Sequence, residues 1–141
     1  MQMRLWHYKL LPYLPNSQLI SQWRELNSIF KKQDNHILIN YIYGYPKEDI
    51  RIYSDLVINE LTKRGIKIKS FDKYLAYFNL PNTYMPTYDH NDINAPFKKH
   101  HHKRSLMQCF YNLQEKYDRH QKDFSDEQYK RLKKFITEEI T

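Results

Sequence analysis

Apolar residues recur along much of this chain at the spacing of helices. Leu19, Trp23, Leu26 and Phe30 fall at i, i+4, i+7 and i+11, which predicts a helix over residues 17–30, opening after Pro12 and Pro15 with Asn16 as its cap. Ile50, Tyr53, Val57 and Leu61 mark the inner stripe of a second helix over residues 47–64. Gly65 follows Lys63 and Arg64 where a left-handed C-terminal cap is expected. Leu106, Phe110, Leu113 and Tyr117 align in a third helix over residues 104–120. A capping-box pattern, Ser125, Asp126, Glu127 and Gln128, opens a fourth, which continues through Leu132, Phe135 or Ile136, and Ile140.

The rest of the chain is less periodic. Residues 36–43 (HILINYIY) look locally like a strand, but no second strand pairs with them, so an extended stretch packed on the helices is expected. Residues 74–99 hold Pro81, Pro86, Pro96 and several asparagines and read as an irregular, tyrosine-rich connection. The expected class is mainly α: a compact single-domain helical fold over residues 1–141, with a core in 1–75 and a basic helical extension, two C-terminal helices included, in 98–141. A chain of 141 residues is long enough for a real core, burying roughly 68% of its unfolded surface.

Charge narrows the class of partner. Lys and Arg number 23 against 16 Asp and Glu, a formal net charge of +7, and 13 tyrosines are far too many for a disordered basic tail. Cations neutralise phosphates and aromatic rings stack on bases, so a folded chain of this kind points to nucleic acid. The two glycines exclude the phosphate-cradling loops of P-loop and dinucleotide folds, which need several at fixed spacing. The single cysteine, Cys109, excludes an internal disulfide and reads as a small apolar residue. No apolar run approaches the roughly 20 residues of a membrane span, and the polar, proline-bearing start does not read as a signal peptide. The expectation is a soluble cytoplasmic protein.

The positive charge is unevenly placed. Residues 76–97 carry no Lys or Arg, whereas Lys98, Lys99, Lys103 and Arg104 cluster before and at the start of the third helix, beside His100, His101 and His102, which can add charge. That cluster is a candidate DNA-binding segment, with a solvated helix face as the plainer reading. The histidines, with His7, His36, His90, His120, Asp89 and Asp92, also suggest a metal site. No HExxH or i, i+4 histidine pair occurs, and three consecutive histidines point in different directions, so no metal is assigned.

One short segment bears chemistry. In Trp23, Arg24, Glu25 and Leu26 the first and last residues belong to the buried stripe, so Arg24 and Glu25 flank it. A carboxylate at a core edge can exchange protons near neutrality, and an arginine beside it offers a planar fork to phosphate. An Arg-Glu pair on a helix is commonplace, and from pattern alone a structural ion pair is the favoured reading.

Three segments taken in order add to that reading: Met3, Arg4 and Leu5; Gln18 through Leu26 (QLISQWREL); and Leu61 through Lys69 (LTKRGIKIK). Together they resemble the pyrimidine dimer DNA glycosylases of the phage endonuclease V type, over roughly residues 3–75. The resemblance implies a compact helical domain that excises ultraviolet photoproducts from DNA and cleaves the strand at the resulting abasic site. In that family an N-terminal α-amine attacks deoxyribose C1′, an imine forms, and β-elimination follows. An α-amine, with a pKa of about 7.7–8.0, has a usable neutral fraction at physiological pH.

By the same resemblance, Glu25 is the carboxylate that stabilises the sugar cation and assists proton transfer. Arg4 and Arg24 hold phosphates and the lesion, and the nucleophilic amine belongs to Met3 or Met1. The implied protein is a DNA-repair glycosylase with apurinic-site lyase and endonuclease action on damaged double-stranded DNA. It uses no cofactor and no metal, and is expected to be a nucleoid-associated monomer that does not engage membranes. The alternative is a non-enzymatic nucleic-acid-binding protein that retains the fold.

Overall fold

The computed structural model describes residues 5–33, 39–83 and 95–140. Among the described residues are five α-helices, α1 (Asn16–Lys31), α2 (Lys47–Lys63), α3 (Asp72–Tyr77), α4 (Lys103–Asp118) and α5 (Asp126–Ile140), with two 3-10 helices, Tyr8–Tyr13 and Asn40–Gly44. No strand forms among the described residues, and the fold is mainly α.

Helix α2 is the centre. Besides the expected stripe it buries Ile52, Leu56 and Ile58, so it is covered on nearly every side, the behaviour of an internal helix. Its end is a Schellman motif. Gly65 adopts φ +74°, the Gly65 amide donates to the Thr62 carbonyl at 3.0 Å, and the Ile66 amide donates to the Leu61 carbonyl at 2.9 Å.

Helix α1 packs against α2 through Leu19, Leu26, Ile29 and Phe30. Its start corrects the expected cap. Asn16 is already helical and its side chain accepts a hydrogen bond from Arg64 instead of closing the helix. Asp123 supplies the missing acceptors from far along the chain: the Ser17 amide donates to its Oδ2 at 2.7 Å and the Ser17 hydroxyl to its Oδ1 at 3.0 Å. A carboxylate at a helix N-terminus is favoured by the helix dipole.

Two further readings change. The stretch expected to be extended instead tightens into a 3-10 helix at Asn40–Gly44, because Ile39 and Ile42 are both buried three residues apart and the Ile42 amide bonds the Ile39 carbonyl at 3.1 Å. The connection expected to be irregular from residue 74 begins inside a helix. α3 carries Tyr74 into the core, where its hydroxyl donates to Asp55 Oδ1 at 2.6 Å. Residues 36–38 of the first stretch and 84–94 of the second lie outside the described residues.

The C-terminal helices share the core rather than hang from it. Leu106, Phe110 and Leu113 of α4 and Leu132 and Ile136 of α5 belong to the same buried cluster as Leu10, Leu19 and Val57. The capping box of α5 is complete, with the Gln128 amide on Ser125 Oγ at 3.2 Å and the Ser125 amide on Gln128 Oε1 at 2.8 Å. α5 lies on the first 3-10 helix, where Tyr13 stacks on Phe135 at 4.7 Å and Lys9 pairs with Glu139 at 2.9 Å. No helix among the described residues is long and apolar enough to cross a membrane.

Candidate active site

The N-terminal segment enters the core at Leu5 and Trp6, both buried. A small polar network fixes it there. The Trp6 amide donates to Gln22 Oε1 of α1 at 2.8 Å. The hydroxyl of Tyr53, on α2, lies 2.6 Å from the Trp6 carbonyl oxygen and 2.9 Å from Gln22 Oε1. Gln22 is 2% exposed and Tyr53 is fully buried, so these groups meet no water and depend on one another. Burial pushes the Tyr53 hydroxyl well above its ordinary pKa and keeps it a neutral donor.

Glu25 follows Gln22 by three residues, close to one helical turn, and so shares its edge of α1. It is half-buried, with Oε1 out of contact with solvent. Arg24 is turned about 100° from Glu25 around the helix axis and is exposed. It lines a groove of about 570 Å³ between α1 and residues 66–73, whose floor includes Trp23, Ile66 and Ile68. Lys31, Lys67, Lys69 and Lys73 line the same groove. Sequence reasoning singled out Arg24 but not the lysines that the fold gathers around it.

The first 3-10 helix is held by Arg64. Its guanidinium donates to the carbonyls of Leu14 at 2.6 Å, Pro12 at 3.0 Å and Leu11 at 3.4 Å, and to Asn16 Oδ1 at 2.9 Å, while pairing with Glu60 at 3.2 Å. The Lys63, Arg64 and Gly65 turn is therefore a structural clamp: Gly65 ends α2 and Arg64 ties it to the N-terminal segment.

Lys98, Lys99, Lys103 and Arg104 are all exposed, but none of them lines the Arg24 groove. Their neighbours in the histidine run behave in three ways. His101 is buried among Phe97, Tyr41 and Tyr53, and burial lowers its pKa to about 3, so it adds no charge at neutral pH, contrary to expectation. His102 caps α4 by accepting from the Ser105 amide at 3.4 Å. His100 stacks on Tyr41 at 4.4 Å and meets the Tyr45 hydroxyl at 2.6 Å.

His7 is likewise internal. Its Nδ1 accepts from the Lys9 amide at 3.2 Å, and burial lowers its pKa to about 4 against the opposing effect of a hydrogen bond to the His101 backbone. A ring held neutral in this way is a packed group, not a proton shuttle at pH 7. Met1, Met3, Arg4, His36, Asp89, His90 and Asp92 lie outside the described residues. Among the described residues, no three His, Cys, Asp or Glu side chains gather where an ion could bind.

Sequence reasoning missed Gln22, Tyr53 and Arg64. Gln22 had a signal: it stands at i+3 from Leu19 and i−4 from Leu26, a polar residue inside an apolar stripe. Such a residue is buried only with a partner, and here the partner is backbone that leads to the N-terminus.

These features converge on a helical protein whose N-terminal segment is bound to a long helix carrying an Arg-Glu pair. The sequence profile of the pyrimidine dimer DNA glycosylases matches residues 3–74, about half of the chain. This chain belongs to that family. Searches of the curated proteins and of the solved structures find no match.

Proposed function

We propose that the protein excises pyrimidine dimers from double-stranded DNA and then cleaves the strand as an apurinic-site lyase, using its N-terminal amine as nucleophile. The observation that carries this reading is the Trp6 to Gln22 hydrogen bond. Gln22 and Glu25 are separated by about 4.5 Å of helix rise. Met3 stands three residues before Trp6, at most about 10–11 Å of extended chain. A terminus leaving that anchor is therefore within reach of the Glu25 carboxylate.

In the proposed reaction the neutral α-amine of Met1, or of Met3 in a chain initiated there, attacks C1′ of the damaged nucleotide. The C1′–N bond breaks with its electron pair going to the base, which takes up a proton. One amine proton goes to the departing base; the C1′–O4′ bond then breaks, O4′ takes up the second, and C1′ and the nitrogen form the imine. Loss of a C2′ proton then expels the 3′ phosphate. Glu25 faces the cationic sugar and moves protons, and Arg24 and Arg4 hold phosphates beside the lesion. Lys9 is a poor rival nucleophile, because its hydrogen bond with Glu139 raises its pKa and holds it protonated.

Borohydride trapping on an abasic duplex tests the mechanism, since only an imine is reduced to a stable crosslink. The expected adduct maps to the N-terminal peptide. Glu25→Gln is expected to retain DNA binding and lose excision on ultraviolet-irradiated duplex by about a hundred-fold or more. A folded Glu25→Gln protein with full activity refutes the role of Glu25. Tight DNA binding without any adduct replaces the enzyme with a non-catalytic DNA-binding protein on the same fold.

A further inference from the structure

The groove beside Arg24 is lined by charge of one sign. Arg24, Lys31, Lys67, Lys69 and Lys73 line it, and no Asp or Glu does. All five are exposed, and among the described residues none of them is in an ion pair. The polar side chains of α1 that face the groove are spent on their own helix: Asn27 donates to the Trp23 carbonyl at 2.8 Å and Ser28 to the Arg24 carbonyl at 3.3 Å. Elsewhere the cations Lys9, Arg64 and Arg119 each have a carboxylate partner.

The local backbone explains the array. After the glycine cap the chain runs on without helix from residue 66 to 71, and Ile66 and Ile68 are half-buried while Lys67 and Lys69 are exposed. That alternation is the period of an extended segment, which sets two lysines on one side about 6.6 Å apart, a spacing that suits adjacent phosphates of one strand. α1 contributes Arg24 and Lys31 from the opposite wall, and α3 adds Lys73 at one end. Five like charges around an apolar floor repel one another, and a cleft lined by one sign of charge concentrates the potential seen by an anion.

We infer that this groove holds the phosphodiester backbone of one DNA strand, with Lys31, Lys67, Lys69 and Lys73 as its contacts beyond Arg24. The inference rests on the reading of the protein as acting on DNA. Arg24 and Glu25 are adjacent on α1 but look to different sides of it. A strand whose damaged sugar lies at Glu25 crosses the helix at Arg24 and continues between Lys31 on α1 and Lys67, Lys69 and Lys73 opposite. The segment at residues 98–104, although richer in cations by sequence, contributes no residue to this groove. The groove lysines fix the strand's path and read no base, as backbone contacts do.

The test is the salt dependence of binding to an intact duplex, measured by fluorescence anisotropy. Lys31→Gln, Lys67→Gln, Lys69→Gln and Lys73→Gln are combined in one variant. A control removes the same charge from exposed positions at Lys122, Lys130, Lys133 and Lys134. Each phosphate contact contributes about 0.9 to the slope of log K against log salt, so the groove variant is expected to flatten the slope by three to four units while the control leaves it nearly unchanged. Since all the substituted side chains are exposed, far-ultraviolet circular dichroism is expected to show an intact fold for both. Equal slopes for the two variants overturn the groove assignment and leave the enzyme reading standing. A wild-type protein that fails to bind duplex at all overturns both.

Discussion

Removing one hydroxyl, in Tyr53→Phe, separates the anchoring of the N-terminal segment from DNA binding. The phenol is fully buried, and its oxygen lies 2.6 Å from the Trp6 carbonyl oxygen and 2.9 Å from Gln22 Oε1. Phenylalanine keeps the ring and its packing, so the loss is confined to the polar partner. A buried group deprived of its partner costs about 1–3 kcal/mol. With a urea slope of about 1–3 kcal/mol/M for a small protein, the midpoint of unfolding is expected to fall by about 1 M. The effect on chemistry is separate: a segment loosened by even about 1 Å can lose about a hundred-fold in rate through misplacement of the reacting group. Borohydride trapping on abasic DNA under single-turnover conditions reads that rate, and anisotropy on the same duplex reads affinity. The expectation is slower trapping at unchanged affinity, because Tyr53 has no surface with which to touch DNA. Gln22→Met, which removes the acceptor of the Trp6 amide, is expected to reproduce the pattern. A destabilised Tyr53→Phe protein that traps at the wild-type rate refutes the idea that this network positions the nucleophile.

Two further perturbations test the fold. Burial raises the pKa of Asp55 to about 6, against the opposing effect of its hydrogen bond with Tyr74, so the carboxyl holds its proton more tightly folded than unfolded. Its contribution to stability is present below pH 3.8 and is lost as pH rises through 6; at about 1.4 kcal/mol per pKa unit, Asp55→Asn is expected to gain about 2–3 kcal/mol on the native chain between pH 4 and pH 8, and parallel urea curves at the two pH values contradict this. Gly65 has φ +74° with open space where a side chain would project, so Gly65→Ala is expected to cost about 1–2 kcal/mol through backbone strain alone, whereas Gly44→Ala, equally uncrowded, costs little; equal melting temperatures for the two refute the cap.

The helices that periodicity could reach were legible nearly to the residue. Residues 17–30 and 47–64 correspond to Asn16–Lys31 and Lys47–Lys63, because each offers several turns over which an apolar stripe can repeat. The 3-10 helices and the six residues of α3 offer no such repeat, and tertiary contacts such as Tyr74 to Asp55 define them instead. The Arg-Glu pair could be located by its resemblance, but its surroundings could not. That Gln22 grips the Trp6 backbone, and that Lys67 and Lys69 close one groove with Arg24, are facts about residues distant in sequence. The histidine run misled for a related reason. His101 is drawn inward by a turn in which Phe97, at φ +56°, is fully buried and bonded through its amide to Asp49 at 2.8 Å, so its neighbours in sequence did not reveal its surroundings.

The pairing of Lys9 with Glu139 and of Ser17 with Asp123 closes loops that span most of the chain. On a ribosome, the first 3-10 helix is made long before α5, the helix on which it rests. Contacts of such sequence separation form late, since the entropy of closing the loop is spent before they reward it. That 3-10 helix is thus among the first parts to be synthesised and among the last to gain its full set of contacts. A nascent chain lacking α5 can already fasten Trp6 to Gln22 and Tyr53, but Lys9 and Tyr13 of that 3-10 helix still lack the surface that covers them.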